Sequence, residues 1–334
     1  MTADFFLREG NCHKKTNSIK PYTIQLLRGL FAMLQPTENL SAFKIWMLAI
    51  RPKTLPAAMG PVVVGAALAI GEQGFAFFPA LAALLVALLL QIGSNLANDV
   101  FDFKKGVDTK ERTGPLRVTQ AGLLTPGQVM VGMWVVFALA FALGLYLTWV
   151  GGWLILALGI AAIISAIAYT GGPFPLGYHG LGEIFVFIFF GPVAVCGTYY
   201  VQAGHVSTAA WWASLPVGFL ITAILVVNNF RDLPTDKKTG KRTMAVRLGP
   251  VATQWEYFLL LAASFAVPLL MWLQHLASAW VLCAWLAMPF ALPLIQDMKT
   301  KKGRPLNATL AGTARLSLIF SILFSVGYLL GELF

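Results

Sequence analysis

The chain has 334 residues, of which 58% are hydrophobic and only 11% are charged. A soluble protein of this length needs more charge to cover its surface, so the composition excludes an ordinary soluble fold and favours an all-helical bundle in a lipid bilayer. The net charge is +10, but the basic residues lie in short connections between apolar runs, which is typical of membrane topology rather than of nucleic-acid binding.

Nine apolar runs are predicted to be transmembrane helices, because each approaches the roughly 20 residues that span the hydrocarbon core. They cover residues 54–70, 77–99, 129–150, 153–169, 182–201, 209–229, 252–273, 279–294 and 314–330. The eighth run contains Pro289 and Pro293, which leaves its second end open. The close spacing of the runs predicts one membrane bundle of nine helices over residues 41–334.

The N-terminal segment precedes this bundle and lacks the long apolar core of a signal peptide. We expect residues 1–40 to be a poorly ordered extension, and Met33 offers a downstream start point for a complete bundle. A short surface helix over residues 24–34 is the alternative structure for this part of the chain.

Basic residues are distributed asymmetrically among the connections. All 24 lysines and arginines lie in the N-terminal segment or near the connections after spans two, six and eight. Because cytoplasmic connections retain Lys and Arg, this predicts a multi-pass protein of the inner (plasma) membrane of the cell. Its N-terminus and even-numbered connections are expected in the cytoplasm, with the C-terminus on the opposite side.

Five of the 14 acidic residues form two clusters at the cytoplasmic ends of spans two and six. Each cluster has an amide and a carboxylate four residues apart, hence on one helix face. A second carboxylate follows a Gly or a Pro, where the helix should end. The members are Asn98, Asp99, Asp102 and Asp108 in the first cluster, and Asn228, Asp232 and Asp236 in the second.

Carboxylates at this density repel one another unless cations neutralise them. Oxygen ligands of this kind suit Mg²⁺, which completes its coordination with phosphate and water. Two clusters at one membrane face are therefore predicted to hold a diphosphate between them through Mg²⁺, with nearby Arg and Lys neutralising the remaining charge. The alternative is that these acids are solvated or paired with neighbouring basic residues.

The clusters resemble the paired aspartate motifs of the UbiA superfamily of membrane prenyltransferases. They read NDxxDxxxxxD from Asn98 and NNxRDxxxD from Asn228. The resemblance extends from about Trp46 to the C-terminus, and several segments are similar to the 1,4-dihydroxy-2-naphthoate polyprenyltransferase branch. These segments are RPKTLP from Arg51, RTGPLR from Arg112, YTGGP from Tyr169, GLGE from Gly180 and GKRT from Gly240.

The resemblance implies a nine-helix fold in which Mg²⁺ and a prenyl diphosphate bind between the two motifs. The prenyl cation would attack 1,4-dihydroxy-2-naphthoate with loss of CO₂, giving demethylmenaquinone or its phytyl equivalent. Asp102, Asp108, Asp232 and Asp236 are the implied catalytic residues. The metal ligands would be these four with Asn98 and Asn228, and Asp99 is an added acid typical of one branch. Further substrate-binding candidates are Arg51, Lys53, Arg117, Tyr169, Arg231 and Lys241.

Several of these residues have a second interpretation. For Arg51 and Lys53 it is membrane anchoring by the positive-inside pattern, and for Tyr169 it is membership of an interfacial aromatic belt. Glu183, at the start of span five, is either functional or an acid favoured by a helix N-terminus. Small residues in the spans either permit close helix packing or border a tunnel for an isoprenoid tail, and examples are Gly60, Gly65 and Gly159.

Two other functions stay open at this point. The first is a UbiA-type enzyme that uses another aromatic acceptor, such as homogentisate or 4-hydroxybenzoate. A secondary transporter of an anionic substrate is the alternative of a different class, but it should place its polar site near the bilayer midplane. Here the acids lie at one membrane edge, which favours the prenyltransferase.

Overall fold

The computed structural model describes residues 40–108 and 112–334. All regular elements in these residues are helical, which confirms the predicted all-α class. Lys44–Phe334 form one compact unit that holds nearly all of the described helices. Apart from residue 40, the predicted extension and its alternative helix lie outside the described residues.

Eleven α-helices make up most of the described chain. They are α1 (Ala42–Ile50), α2 (Pro56–Gly71), α3 (Phe77–Lys104), α4 (Pro126–Gly151), α5 (Trp153–Ala168), α6 (Gly182–Ile188), α7 (Ala194–Ala203), α8 (Thr208–Lys238), α9 (Met244–Leu273), α10 (Met288–Thr300) and α11 (Leu306–Leu333). Short 3₁₀ segments cover Pro52–Thr54, Leu176–His179 and Ala279–Ala287. A π-helical turn, Phe189–Val193, joins α6 to α7 at a proline that lacks a backbone donor.

The helix lengths support a multi-pass membrane protein. Within the described residues, seven helical segments are long and apolar enough to cross a membrane, and counting the bent pair Ala42–Thr54 and Pro56–Gly71 as one span raises the number to eight. Helix α5 has 16 residues, or about 24 Å at the helical rise, which is shorter than the roughly 30 Å hydrocarbon core. The nine-span count therefore stays a prediction, although each predicted run is helical over most of its length.

Local sequence explains several helix ends. Thr125 caps α4 by accepting a hydrogen bond from Gln128 N at 3.2 Å, while Gln128 Oε1 accepts one from Thr125 N at 2.8 Å. This reciprocal pair is a capping box, and Pro126 occupies the first helical position. After α3 the chain turns at Gly106, whose φ of 67° is left-handed and suits glycine.

Helix α8 packs against α2, α9 and α11 and forms the main core of the described residues. Leu220 on α8 and Phe320 on α11 are fully buried there. A second core lies between α3 and α4, where Leu96 meets Phe137. In lipid, such helices associate through close packing rather than through transfer of apolar surface from water.

The glycines singled out in the sequence fall into two groups. A Cβ on Gly60 would lie 2.8 Å from Ser321 Oγ, and one on Gly65 would lie 2.6 Å from the Val195 carbonyl oxygen. These two glycines therefore permit close helix packing. A Cβ on Gly159 would meet no atom within 4 Å, so this glycine borders open space.

Candidate active site

The polar ends of α3 and α8 line one cavity of about 420 Å³. On α3 the residues on its wall are spaced by four, three and four positions, which places them on one helix face. They are Gln91, Asn95, Asn98 and Asp102. The corresponding stripe on α8 is Asn228, Asp232, Thr235, Asp236 and Thr239. Both acidic clusters therefore contribute to the same cavity.

Asp102 lies in the last turn of α3 and is only 2% exposed. Its carboxylate accepts hydrogen bonds from Arg117 Nη2 at 3.0 Å, Tyr178 Oη at 2.6 Å and Lys241 Nζ at 3.2 Å. Lys241 follows α8, so its contact joins the first cluster to the connection after the second. Three donors, two of them cationic, fix this carboxylate at the mouth of the cavity.

Asp108 follows the end of α3 and is buried. It forms ion pairs with Arg112 and, at 3.5 Å, with Arg117 Nε. Both arginines are on the cavity wall, whereas Asp108 is not part of it. Asp108 therefore orients two cationic side chains toward the cavity.

Arg231 organises the second cluster and is 1% exposed. Its guanidinium donates to Asp232 from Nε at 2.9 Å and from Nη2 at 2.5 Å. It also donates to Asn228 Oδ1 and to Asn307 Oδ1, each at 2.8 Å. Thr113 Oγ1 donates to Asp232 Oδ1 at 2.7 Å, which attaches the connection after α3 to this cluster. Arg231, expected to bind substrate, instead orients Asp232 and Asn228.

Asp236 lies inside α8, which corrects the expectation that the helix ends near Pro234. Proline removes one backbone donor, and the helix still continues to Lys238. In this turn Thr235 Oγ1 donates to the Asp232 carbonyl oxygen at 2.7 Å. Asp236 lines the cavity, and no lysine or arginine within residues 40–108 and 112–334 forms an ion pair with it. Its carboxylate is available to a bound cation.

The donor set at the cavity mouth fits Mg²⁺ bound to a diphosphate, because Mg²⁺ prefers carboxylate, amide and phosphate oxygens. Nε and Nη2 of Arg51 and Nη1 of Arg117 are buried without a hydrogen-bond partner in the described part of the chain. Such unsatisfied donors are expected where an anion binds. Among the described residues, no three His, Cys, Asp or Glu side chains form a metal site alone, so phosphate oxygens would complete the coordination.

Besides Asp108 and Arg231, two further predicted metal or substrate ligands are not part of the cavity wall. Asp99 is 1% exposed, and its two oxygens accept hydrogen bonds from Val118 N and Thr119 N, each at 3.1 Å. It fixes the connection after α3, so we leave it out of the proposed metal site. Lys53 is exposed in the turn before α2, in agreement with membrane anchoring. The predicted residues on the wall are Arg51, Asn98, Asp102, Arg117, Tyr169, Asn228, Asp232, Asp236 and Lys241.

Tyr178 is a site residue that the sequence analysis missed. Besides its bond to Asp102, its ring lies 4.5 Å from Lys241 Nζ. Burial, and then the Asp102 carboxylate, raise the pKa of the Tyr178 phenol well above its usual value, so the hydroxyl stays protonated and donates. The only sequence signal near it was the short polar turn Leu176–His179, in which His179 stacks on Phe174.

The cavity continues from its polar mouth into an apolar shaft between α3, α4, α5 and α7. Its walls there include Ala83, Gly144, Leu147, Gly159 and Val201. From Ala83 to Asp102, helix α3 rises about 28 Å, close to the roughly 30 Å of the hydrocarbon core. The cavity, mouth and shaft together, therefore extends through most of the membrane thickness.

Comparison with known proteins agrees with this arrangement. Residues 58–319 match the UbiA prenyltransferase family. The 1,4-dihydroxy-2-naphthoate octaprenyltransferase of Mycobacterium tuberculosis is 37% identical over 88% of this chain and 100% of its own length, and that of Escherichia coli is 38% identical over 88% and 98%. A structure of a UbiA homologue from Archaeoglobus fulgidus bound to GPP and Mg²⁺ has a TM-score of 0.63 at 16% identity, covering 85% of this chain and 99% of that one. The chain therefore belongs to the UbiA prenyltransferase family.

Proposed function

We propose that this protein transfers a prenyl group from a prenyl diphosphate to 1,4-dihydroxy-2-naphthoate, with loss of CO₂. The observation that carries the proposal is one cavity with an acidic and cationic mouth and an apolar shaft. The mouth suits a diphosphate, and the shaft suits a long apolar chain. The names of the relatives supply the acceptor.

The leaving diphosphate would be held at the mouth. Asp102, Asp232 and Asp236, with the two cluster asparagines, are the candidate ligands for Mg²⁺, which when bound would neutralise charge on the diphosphate. Arg117 and Lys241 line the same wall and add positive charge where the leaving group becomes more negative. Asp108 supports this role by holding Arg117.

The acceptor would bind beside this site. Arg51 carries unpartnered guanidinium donors on the cavity wall, which suit the carboxylate of a naphthoate. The bond from the prenyl carbon to the diphosphate oxygen breaks, and the diphosphate keeps the electron pair. The ring carbon that carries the carboxylate attacks the allylic cation, with the ring face of Tyr169 available to stabilise it. CO₂ then leaves and its bonding pair returns to the ring, which gives the prenylated hydroquinone.

A transfer assay tests the proposal. Detergent-purified protein is incubated with Mg²⁺, polyprenyl diphosphates and 1,4-dihydroxy-2-naphthoate, and products are identified by mass spectrometry. We expect a decarboxylated prenyl product that disappears with EDTA and returns with Mg²⁺. Homogentisate and 4-hydroxybenzoate, added as competing acceptors, should be prenylated far less. Absence of any naphthoate product, or preference for another acceptor, contradicts the proposal.

Tyr178→Phe should lower the rate about tenfold, because it removes one hydrogen bond to a charged carboxylate. The measurement is kcat with saturating substrates. Tyr257→Phe is the matched control, since Tyr257 is buried and bonds to Thr313 at 2.9 Å but does not line the cavity. Equal effects of the two substitutions would show that Tyr178 has no special role.

We also propose that the active-site mouth faces the cytoplasm and that residues 41–334 form a nine-span bundle after an N-terminal extension. The basic connections after α3, α8 and α10 support this orientation. An odd number of spans places the C-terminus outside the cytoplasm. Alkaline phosphatase fused after Phe334 should therefore be active and green fluorescent protein dark, and the reverse pattern would refute the orientation.

A further inference from the structure

Glu183 is a buried acid that the proposed mechanism does not use. It lies in the first turn of α6, is 6% exposed, and its Oε2 atom has no hydrogen-bond partner among the described residues. Burying a carboxylate at membrane depth is costly and marks a functional candidate. The N-terminus of α6 favours the negative charge of Glu183. It does not explain why the Glu183 carboxylate is hydrogen-bonded to another side chain.

That contact is with Asn229, the residue after Asn228 of the second cluster. Asn229 Nδ2 donates to Glu183 Oε1 at 2.7 Å. An asparagine amide donates only from Nδ2 and accepts only at Oδ1, so a carboxylate partner fixes which way it points. Asn229 lines the cavity, and no described residue donates to its Oδ1. Glu183 therefore fixes the Asn229 amide in the orientation that leaves the Asn229 Oδ1 atom available to a group bound in the cavity.

The surroundings of this carbonyl oxygen indicate what it binds. A carbonyl oxygen repels phosphate and carboxylate oxygens and requires a donor. Tyr169 also lines the cavity, and a Cβ on Gly182 would lie 3.0 Å from Tyr169 Oη, so the missing side chain lets the tyrosine pack against the first turn of α6. An aromatic ring near a hydrogen-bond acceptor suits a flat aromatic compound that carries a hydroxyl group.

We propose that Asn229 accepts a hydrogen bond from a ring hydroxyl of the aromatic acceptor, and that Glu183 is the positioning residue that holds the amide. This inference rests on the proposed function, since it places a hydroxyl-bearing acceptor in the cavity. It assigns the Glu183–Asn229 pair to acceptor recognition and not to diphosphate or metal binding. The side of the cavity next to α6 then determines which acceptors are used.

Steady-state kinetics of Asn229→Ala and Glu183→Ala test the inference. The KM for 1,4-dihydroxy-2-naphthoate should rise about tenfold, as expected for one lost hydrogen bond, while the KM for the prenyl diphosphate stays unchanged. Glu183→Gln should restore the acceptor KM, because the glutamine carbonyl still accepts from Asn229 Nδ2. Two analogues that each lack one hydroxyl, 1-hydroxy-2-naphthoate and 4-hydroxy-2-naphthoate, are measured as competitive inhibitors. The analogue that lacks the hydroxyl contacted by Asn229 should bind both alanine variants as tightly as it binds the wild type.

Other outcomes overturn the inference. A raised donor KM or Mg²⁺ requirement would make Asn229 part of the diphosphate site. If the alanine variants bind both analogues more weakly than the wild type does, Asn229 does not contact a ring hydroxyl. Thermal unfolding identifies variants that do not fold. If Glu183→Ala is one of them, the donor KM of Glu183→Gln and of Asn229→Ala still tests the inference. If the wild type prenylates no naphthoate, the proposed function fails as well; if it does and these predictions fail, only this inference falls.

Discussion

Asp102→Ala and Asp236→Ala should each abolish prenyl transfer without preventing membrane insertion. Asp102 holds Arg117, Tyr178 and Lys241 at the cavity mouth, and Asp236 is a cavity carboxylate without an ion-pair partner in the described residues. Removing one electrostatic group from such a site typically costs at least about a hundredfold in kcat. Product formation measured by mass spectrometry with saturating Mg²⁺ gives the size of the loss.

Asp297→Ala is the matched control for both substitutions. Asp297 is a carboxylate near the end of α10 that bonds to Thr309 at 2.9 Å and pairs with Lys301 at 2.7 Å, away from the cavity wall. This variant should keep nearly full activity. Near-normal turnover in either cavity variant, with correct membrane insertion, would remove that aspartate from the proposed diphosphate site.

Gly144→Phe should restrict the enzyme to prenyl diphosphates with short chains. Gly144 lines the apolar shaft, and a Cβ there meets no atom within 4 Å, so a phenylalanine ring would extend into the space of the prenyl tail. Within α4 the substitution also removes a helix-weakening glycine, which argues against simple destabilisation. We expect kcat/KM for a long polyprenyl diphosphate to fall at least about tenfold, with geranyl diphosphate affected little.

Gly127→Phe is the control on the same helix, since Gly127 is exposed and is not part of the cavity wall. It should leave the donor preference unchanged. Equal losses with short and long donors in Gly144→Phe would mean that the tail does not occupy this part of the shaft. Gly159 offers an independent position on the opposing helix for the same measurement.

Much of this fold is predictable because lipid permits few backbone structures. Nine apolar runs had to be helices, since only internal hydrogen bonding satisfies the backbone in hydrocarbon. The positions of the lysines and arginines then indicated that the two acidic clusters, although far apart in the sequence, lie at the same membrane face. The ends of the helices were less predictable, because a hydropathy pattern marks only the apolar part of a helix. It does not show where a helix continues into polar sequence. Helix α8 continues through Pro234, and this is why Asp236 lies on a helix rather than in a turn.

The roles of single side chains were the least predictable part of the site. Asp99 and Asp102 are three residues apart on α3, yet one bonds to backbone amides and the other lines the cavity. Arg231 and Arg117 carry the same charge, but the first is saturated by protein partners and the second keeps unpartnered donors. Tyr178 had no sequence signal beyond its place in a polar turn. These distinctions depend on packing between distant segments, which periodicity does not encode.

Calorimetric titration of the wild type, Asp102→Ala and Asp236→Ala with an unreactive prenyl thiolodiphosphate tests the central claim most directly. The claim is that both acidic clusters hold one diphosphate through shared Mg²⁺. We predict that the wild type binds the analogue only when Mg²⁺ is present and that each variant, one from each cluster, loses this binding. Tight binding in EDTA, or unchanged binding in either variant, would contradict the account.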